Sequence, residues 1–188
     1  MGWVDLLQGI LLCDVLLVKD PELHYIAFPH TDHKETDDWD IVVIQGHIKL
    51  LEHQTHVRPG SWSEGTYISD DWTAIVRSWK MNSSHCWKGK WVKERTRDAS
   101  RISGSMSKLL PGYNNDDDNA TPPLPGLQNL HTGHPTLSLD EDDVVYFLAK
   151  VDHHDEQAFV VAVDMRKGIL QRADYFGAER MKGMECLS

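Results

Sequence analysis

The sequence predicts a mainly β protein, in which antiparallel hairpins form a partial, propeller-like array of about two to three blades broken by one long irregular loop. Three observations carry that reading. Runs of apolar residues closed by Asp and a turn recur along the 188 residues. No amphipathic helix of ordinary length is present, and Met106 to Leu110 suits a single helical turn. The hairpins fall as one alone and then two complete pairs, the four-strands-per-unit pattern of propeller blades.

In chain order, the first hairpin joins the run Ile10-Leu11-Leu12-Cys13-Asp14-Val15 to His24 through Pro29, across Pro21. The second joins Ile41 through Gln45 to His47 through Leu51, with Gly46 as its turn. The third is more polar and pairs Thr73 through Trp79 with Trp87 through Thr96 around Asn82-Ser83-Ser84. Residues 98 to 127 then read as a mobile loop, because Gly104, Pro111-Gly112 and Pro122-Pro123 oppose regular structure and Asp116, Asp117 and Asp118 repel one another. The fourth hairpin runs from Pro135 to Leu139, turns through Asp140-Glu141-Asp142-Asp143, and returns as Val144 to Lys150. The fifth joins Phe159 through Met165 to Ile169-Leu170 and Tyr175-Phe176 across Lys167-Gly168. Within these runs Leu11, Cys13, Val145, Phe147, Val161 and Val163 are expected in strand cores. Closed propellers have about 4 to 8 blades. An array of about half that number leaves strand edges and apolar blade faces to be covered by association.

Composition narrows the function classes. The whole chain, 1–188, reads as one domain, and its formal charge of -10 disfavours nucleic acid as a ligand, since phosphate binding relies on clustered Lys and Arg. Lys88, Lys90, Lys93, Arg95 and Arg97 lie in a strand-like run with mixed neighbours. The apolar run Gly9 to Val18 contains Asp14 and is too short to cross a membrane. The N-terminus shows neither a basic n-region nor an Arg-rich presequence, so cytoplasm or nucleus is the expected location. Three cysteines, Cys13, Cys86 and Cys186, have no paired spacing and suit reduced thiols.

Three segments carry a resemblance: Gly2-Trp3-Val4-Asp5 running into Ile10-Leu11-Leu12-Cys13-Asp14-Val15, then Leu130 to Leu139, then Asp142-Asp143-Val144-Val145-Tyr146-Phe147-Leu148-Ala149-Lys150-Val151. They resemble the grass-expanded plant family called domain of unknown function 1618, whose longer members carry the same pattern in their second half. The layout is also similar to F-box-associated propeller domains, a likeness that implies fold more than activity. The family resemblance supplies no catalytic residues, and no helical F-box segment is present.

Eleven histidines include the close pairs His30/His33, His53/His56, His131/His134 and His153-His154, but no ligand pattern completes a four-coordinate set, so no metal or other cofactor is expected. His153, His154, Asp152 and Asp155 are the nearest to a cluster and read as a solvated turn. No Gly-x-Ser-x-Gly elbow, Walker loop or dinucleotide glycine fingerprint occurs, and the Asp140 to Asp143 run reads as a charged turn. Trp72, Trp79, Trp87 and Trp91 are expected between sheets, with Trp79 and Trp91 facing a neighbouring sheet. Trp62, flanked by Ser61 and Ser63, is the expected exposed contact, and Leu12 and Leu16 are expected to border the uncovered first hairpin.

These readings converge on a non-catalytic protein that binds an unidentified protein partner or itself. Three alternatives stand beside it: a component of a grass reproductive-barrier system, suggested by the family resemblance; an enzyme acting on a carbohydrate or peptide; and a truncated gene product without an independent role.

Overall fold

A computed structural model describes residues 2–5, 8–13, 22–29, 38–44, 47–63, 67–83, 86–110, 124–152 and 154–176, with the backbone alone for 81–83 and 86–88. Its elements are β1 (Gly2–Asp5), β2 (Gly9–Cys13), β3 (Leu23–Ala27), β4 (Asp38–Ile44), β5 (His47–Val57), β6 (Ser69–Ser83), β7 (Cys86–Asp98), α1 (Met106–Leu109), β8 (His131–Leu137), β9 (Val144–Lys150), β10 (Ala158–Asp164) and β11 (Ile169–Phe176). The single helical turn expected near Met106 is α1. The strands form three antiparallel meanders: β1-β2-β3, β4-β5-β6-β7, and β8-β9-β10-β11. None closes into a barrel. All five expected hairpins are present, and β1, not foreseen as a strand, completes the first sheet by pairing Trp3 with Leu11.

The sheets stack because the middle one carries buried apolar side chains on both faces. On β5, Ile48 and Leu50 face the first sheet while Leu51 faces the third, the alternation that a pleated strand imposes. Pairing carries the same division across the sheet: Leu51 lies opposite Val76, and Ile48 opposite Trp79. One core therefore joins Leu51, Trp72, Ala74 and Val76 to Val145, Phe147, Phe159, Val161 and Val163 of the third sheet. The other joins Ile48 and Leu50 to Ile10, Ile26 and Phe28, with Trp39, Trp79 and Trp91 packed around it. Full burial of such side chains contributes about 1.5–3 kcal/mol each. Trp79 and Trp91 thus face a neighbouring sheet as expected; they meet edge to face, and Phe28 contacts both Trp39 and Trp91. The Trp91 indole N–H donates to the Ala27 carbonyl at 2.7 Å, tying the second sheet to the first.

Carboxylates on β4 align the third sheet. Asp38 accepts from the His134 N–H, within the bulge where the β8 ladder with β9 shifts, and Asp40 from the Leu137 N–H just past it. Backbone donors that the bulge releases from pairing are thereby satisfied from the neighbouring sheet.

Two expectations need correction. Val145, Phe147, Val161 and Val163 are fully buried, but Leu11 is 37% exposed and Cys13 partly so. β2 is a strand as expected, yet its register places Ile10 inward and Leu11 outward, because adjacent residues point to opposite faces. The segment 98–127 is irregular in backbone but not loose in packing where it is described. Ala99, Ile102, Met106, Leu110 and Leu127 belong to the larger core. Ser103 exchanges backbone hydrogen bonds with the third sheet, donating to Gly168 and accepting from Leu170, and Trp72 Nε1 donates to the Leu127 carbonyl. Residues 111–123 lie outside the described part.

Candidate functional site

The outward face of the first sheet carries several large apolar side chains that the fold leaves uncovered among the described residues. β3 alternates strictly: Ile26 points to the middle sheet and is fully buried, while Leu23 and Tyr25 point away and are 64% and 58% exposed. Cross-strand pairing brings Trp3, Leu11 and Tyr25 into one row over β1, β2 and β3, with Leu23 beside Cys13 in the next row on that face. Trp3 is 51% exposed. The Tyr25 hydroxyl donates to the Gln8 carbonyl at 2.8 Å, which holds the ring across the face. At Gly9 an added Cβ would lie 2.3 Å from the Ile26 carbonyl oxygen, so only glycine permits β2 and β3 to approach there. A row of aromatic and aliphatic side chains on a paired sheet is suited to packing against another sheet.

Of the expected contact residues, Trp62 is 52% exposed. It packs on Tyr67 at a ring distance of 5.0 Å, and Tyr67 in turn meets His131 at 5.5 Å. Tyr67, His131, Thr132, His134 and Lys150 border a cleft of about 220 Å³. Leu12 is partly buried against the smaller core, facing the opposite way from Leu11. Leu16 lies outside the described residues.

Behind that cleft sits His53, fully buried between Trp72 and Phe147, each at a ring distance of 5.5 Å. Its Nε2 hydrogen-bonds Thr132 Oγ1 at 2.9 Å, whereas Nδ1 has no hydrogen-bond partner among the described residues. Burial pushes the imidazole down to about 4; the Asp38 charge opposes that shift and His56 adds to it. A neutral, enclosed imidazole of this kind is a poor general base at neutral pH. Burial also raises the Tyr67 hydroxyl above its ordinary value.

Other polar groupings hold structure together. The Thr73 hydroxyl donates to Asp98 at 3.0 Å, so its one proton is committed and His56 Nε2, at 3.1 Å, donates to the same oxygen. That direction ties the hydroxyl down and does not activate it as a nucleophile. Glu52 is buried on the face toward the first sheet and paired with Arg77. Asp164 accepts from the N–H groups of Arg166 and Lys167 and from the Lys167 ammonium, and the Lys167 N–H above all holds its carboxyl below the usual range. The acidic run forms the expected turn, with the Ser138 hydroxyl accepting from the Asp140 and Glu141 N–H groups. Among the described residues, no three His, Cys, Asp or Glu side chains converge to hold a metal ion. The pairs containing His30, His33 and His153 fall outside the described part. No helix of the described residues is long and apolar enough to cross a membrane.

The fold and its uncovered face define a mainly β protein of stacked, open antiparallel sheets. Residues 3–146 match the family model described as Protein of unknown function (DUF1618), and the chain belongs to that family. The match spans the first two sheets and extends into β9. No curated protein and no solved structure matches the chain.

Proposed function

We propose that this chain is a non-catalytic protein-interaction module, an open propeller-like stack of three sheets that binds another polypeptide through the outward face of its first sheet. The observation that carries the reading is the aligned row Trp3, Leu11 and Tyr25, with Leu23 beside it, exposed on a sheet whose opposite face is packed. The middle sheet has apolar neighbours on both faces, so sheet-on-sheet burial is already how this fold hides apolar surface. A β-sheet presented by a partner protein extends the same arrangement by one layer. The polar groupings support this reading because their protons and charges are committed to internal contacts.

Analytical ultracentrifugation of the purified chain, with binding of an apolar dye read in parallel, tests the proposal. Association, or dye binding by the monomer, is expected, and Leu11→Lys together with Tyr25→Lys should diminish it while leaving the strand signal in circular dichroism unchanged. Leu12→Lys changes the inward face and should destabilise the fold instead. A monodisperse monomer that binds no dye would defeat the proposal.

A further inference from the structure

We infer that a cleft between the second and third sheets binds a small anionic ligand carrying two or more phosphate groups. The cleft measures about 600 Å³, within the ~300–1,000 Å³ range of small-ligand sites. Five cationic side chains border it: Lys49, Lys80, Lys93, Arg95 and Arg166. Three carboxylates share the lining, Glu94, Asp142 and Asp143, which leaves an excess of two positive charges on a chain whose formal charge is -10.

The sign reversal is built into the sheet register. Leu51 and Val76 are paired neighbours in the core between these sheets, and Arg95 is the β7 partner of Val76. One pleat further along the same face, the row becomes Lys49, Ser78 and Val92. On β5 the inter-sheet face therefore changes from Leu51 to Lys49 within two residues, where continued sheet contact would require another apolar side chain. Asp143, with φ at 64°, lies 3.8 Å from Arg95 and 3.7 Å from Arg166, and holds both guanidinium groups at the rim. No carboxylate of the described residues lies within ion-pair distance of Lys49, Lys80 or Lys93.

Several ammonium groups around one concave space favour a compact ligand of high negative charge, whose oxygens accept charge-assisted hydrogen bonds from more than one wall. A long nucleic acid is disfavoured by the same numbers, since the acidic chain surrounding the cleft repels an extended backbone.

Isothermal titration of the full chain with inorganic pyrophosphate, and separately with inositol hexakisphosphate, tests this assignment. One-to-one binding that weakens as salt is raised is expected, and Lys49→Gln combined with Lys93→Gln should weaken it about tenfold or more. Lys108→Gln, in α1 and away from the cleft, should leave it unchanged. Should the double variant fail to fold, Lys80→Gln at an exposed position provides the same reading. Vesicles bearing a phosphoinositide headgroup distinguish a lipid source from a free one. Absence of binding to either soluble probe, or binding that all these variants retain equally, would overturn the inference.

Discussion

Acid should destabilise this protein through His53. The imidazole is fully buried and lowered to about 4, against 6.5 for the exposed side chain of an unfolded chain. A group whose folded pKa is depressed binds protons more weakly in the folded state, so stability rises with pH across the interval between the two values. His53 leaves stability intact above about pH 6.5, and the loss accumulates as pH falls toward 4. A difference of about 2.5 units at 1.36 kcal/mol each corresponds to about 3 kcal/mol. Much of a domain's ordinary margin of about 5–15 kcal/mol is then removed by one proton. Urea unfolding followed by tryptophan fluorescence, at neutral pH and near pH 4, measures it. His53→Gln cannot titrate and keeps an amide to meet Thr132, so the wild type should lose about 3 kcal/mol more than this variant over the same range. Equal losses in the two proteins would show that His53 is not held neutral by burial and would refute the reasoning.

Two further outcomes follow from the described contacts. Leu11→Asp should change stability by less than about 1 kcal/mol because the residue lies on the uncovered face, whereas Val161→Asp should prevent folding by placing an unpaired carboxylate in the core; thermal unfolding of both variants separates them. Asp164→Asn should cost about 1–3 kcal/mol by weakening its accepted hydrogen bonds. Because this carboxyl is depressed in the folded state, its contribution is fully present above the ordinary carboxylate range and lost as pH falls through the lowered value, which denaturant midpoints of wild type and variant in acid report.

The strands that alternation and apolar runs identify are those whose side chains meet a core. Val144 to Lys150 coincides with β9, and the run from Phe159 is β10 within one residue. β2 shows where such reasoning stops: Ile10, Leu11 and Leu12 are all apolar, so the sequence carries no phase to say which of them points inward. The missing alternation is itself the trace of the uncovered face. The latter half of β5, Glu52 to Val57, escapes detection because Glu52, His53 and Thr55 are polar groups buried through tertiary contacts. In residues 98–110 the Gly104 and Pro111 signals outweigh a sparse apolar spacing, Ala99, Ile102, Met106 and Leu110, which packs through short helical turns only. Exposure of Trp62 was legible from its Ser neighbours. The cationic cleft was not, because Lys49, Lys93 and Arg166 come from distant segments that only sheet stacking brings together.

Each sheet is formed by an uninterrupted stretch of chain, and every strand pairs only with its immediate predecessor or successor. A cut between two sheets consequently severs no strand ladder among the described residues. The chain can therefore acquire or shed a whole sheet without rethreading any other, so that its heritable grain is the meander and its natural joints are the connections between meanders. For the same reason each ladder can form from residues near in sequence before the stack assembles.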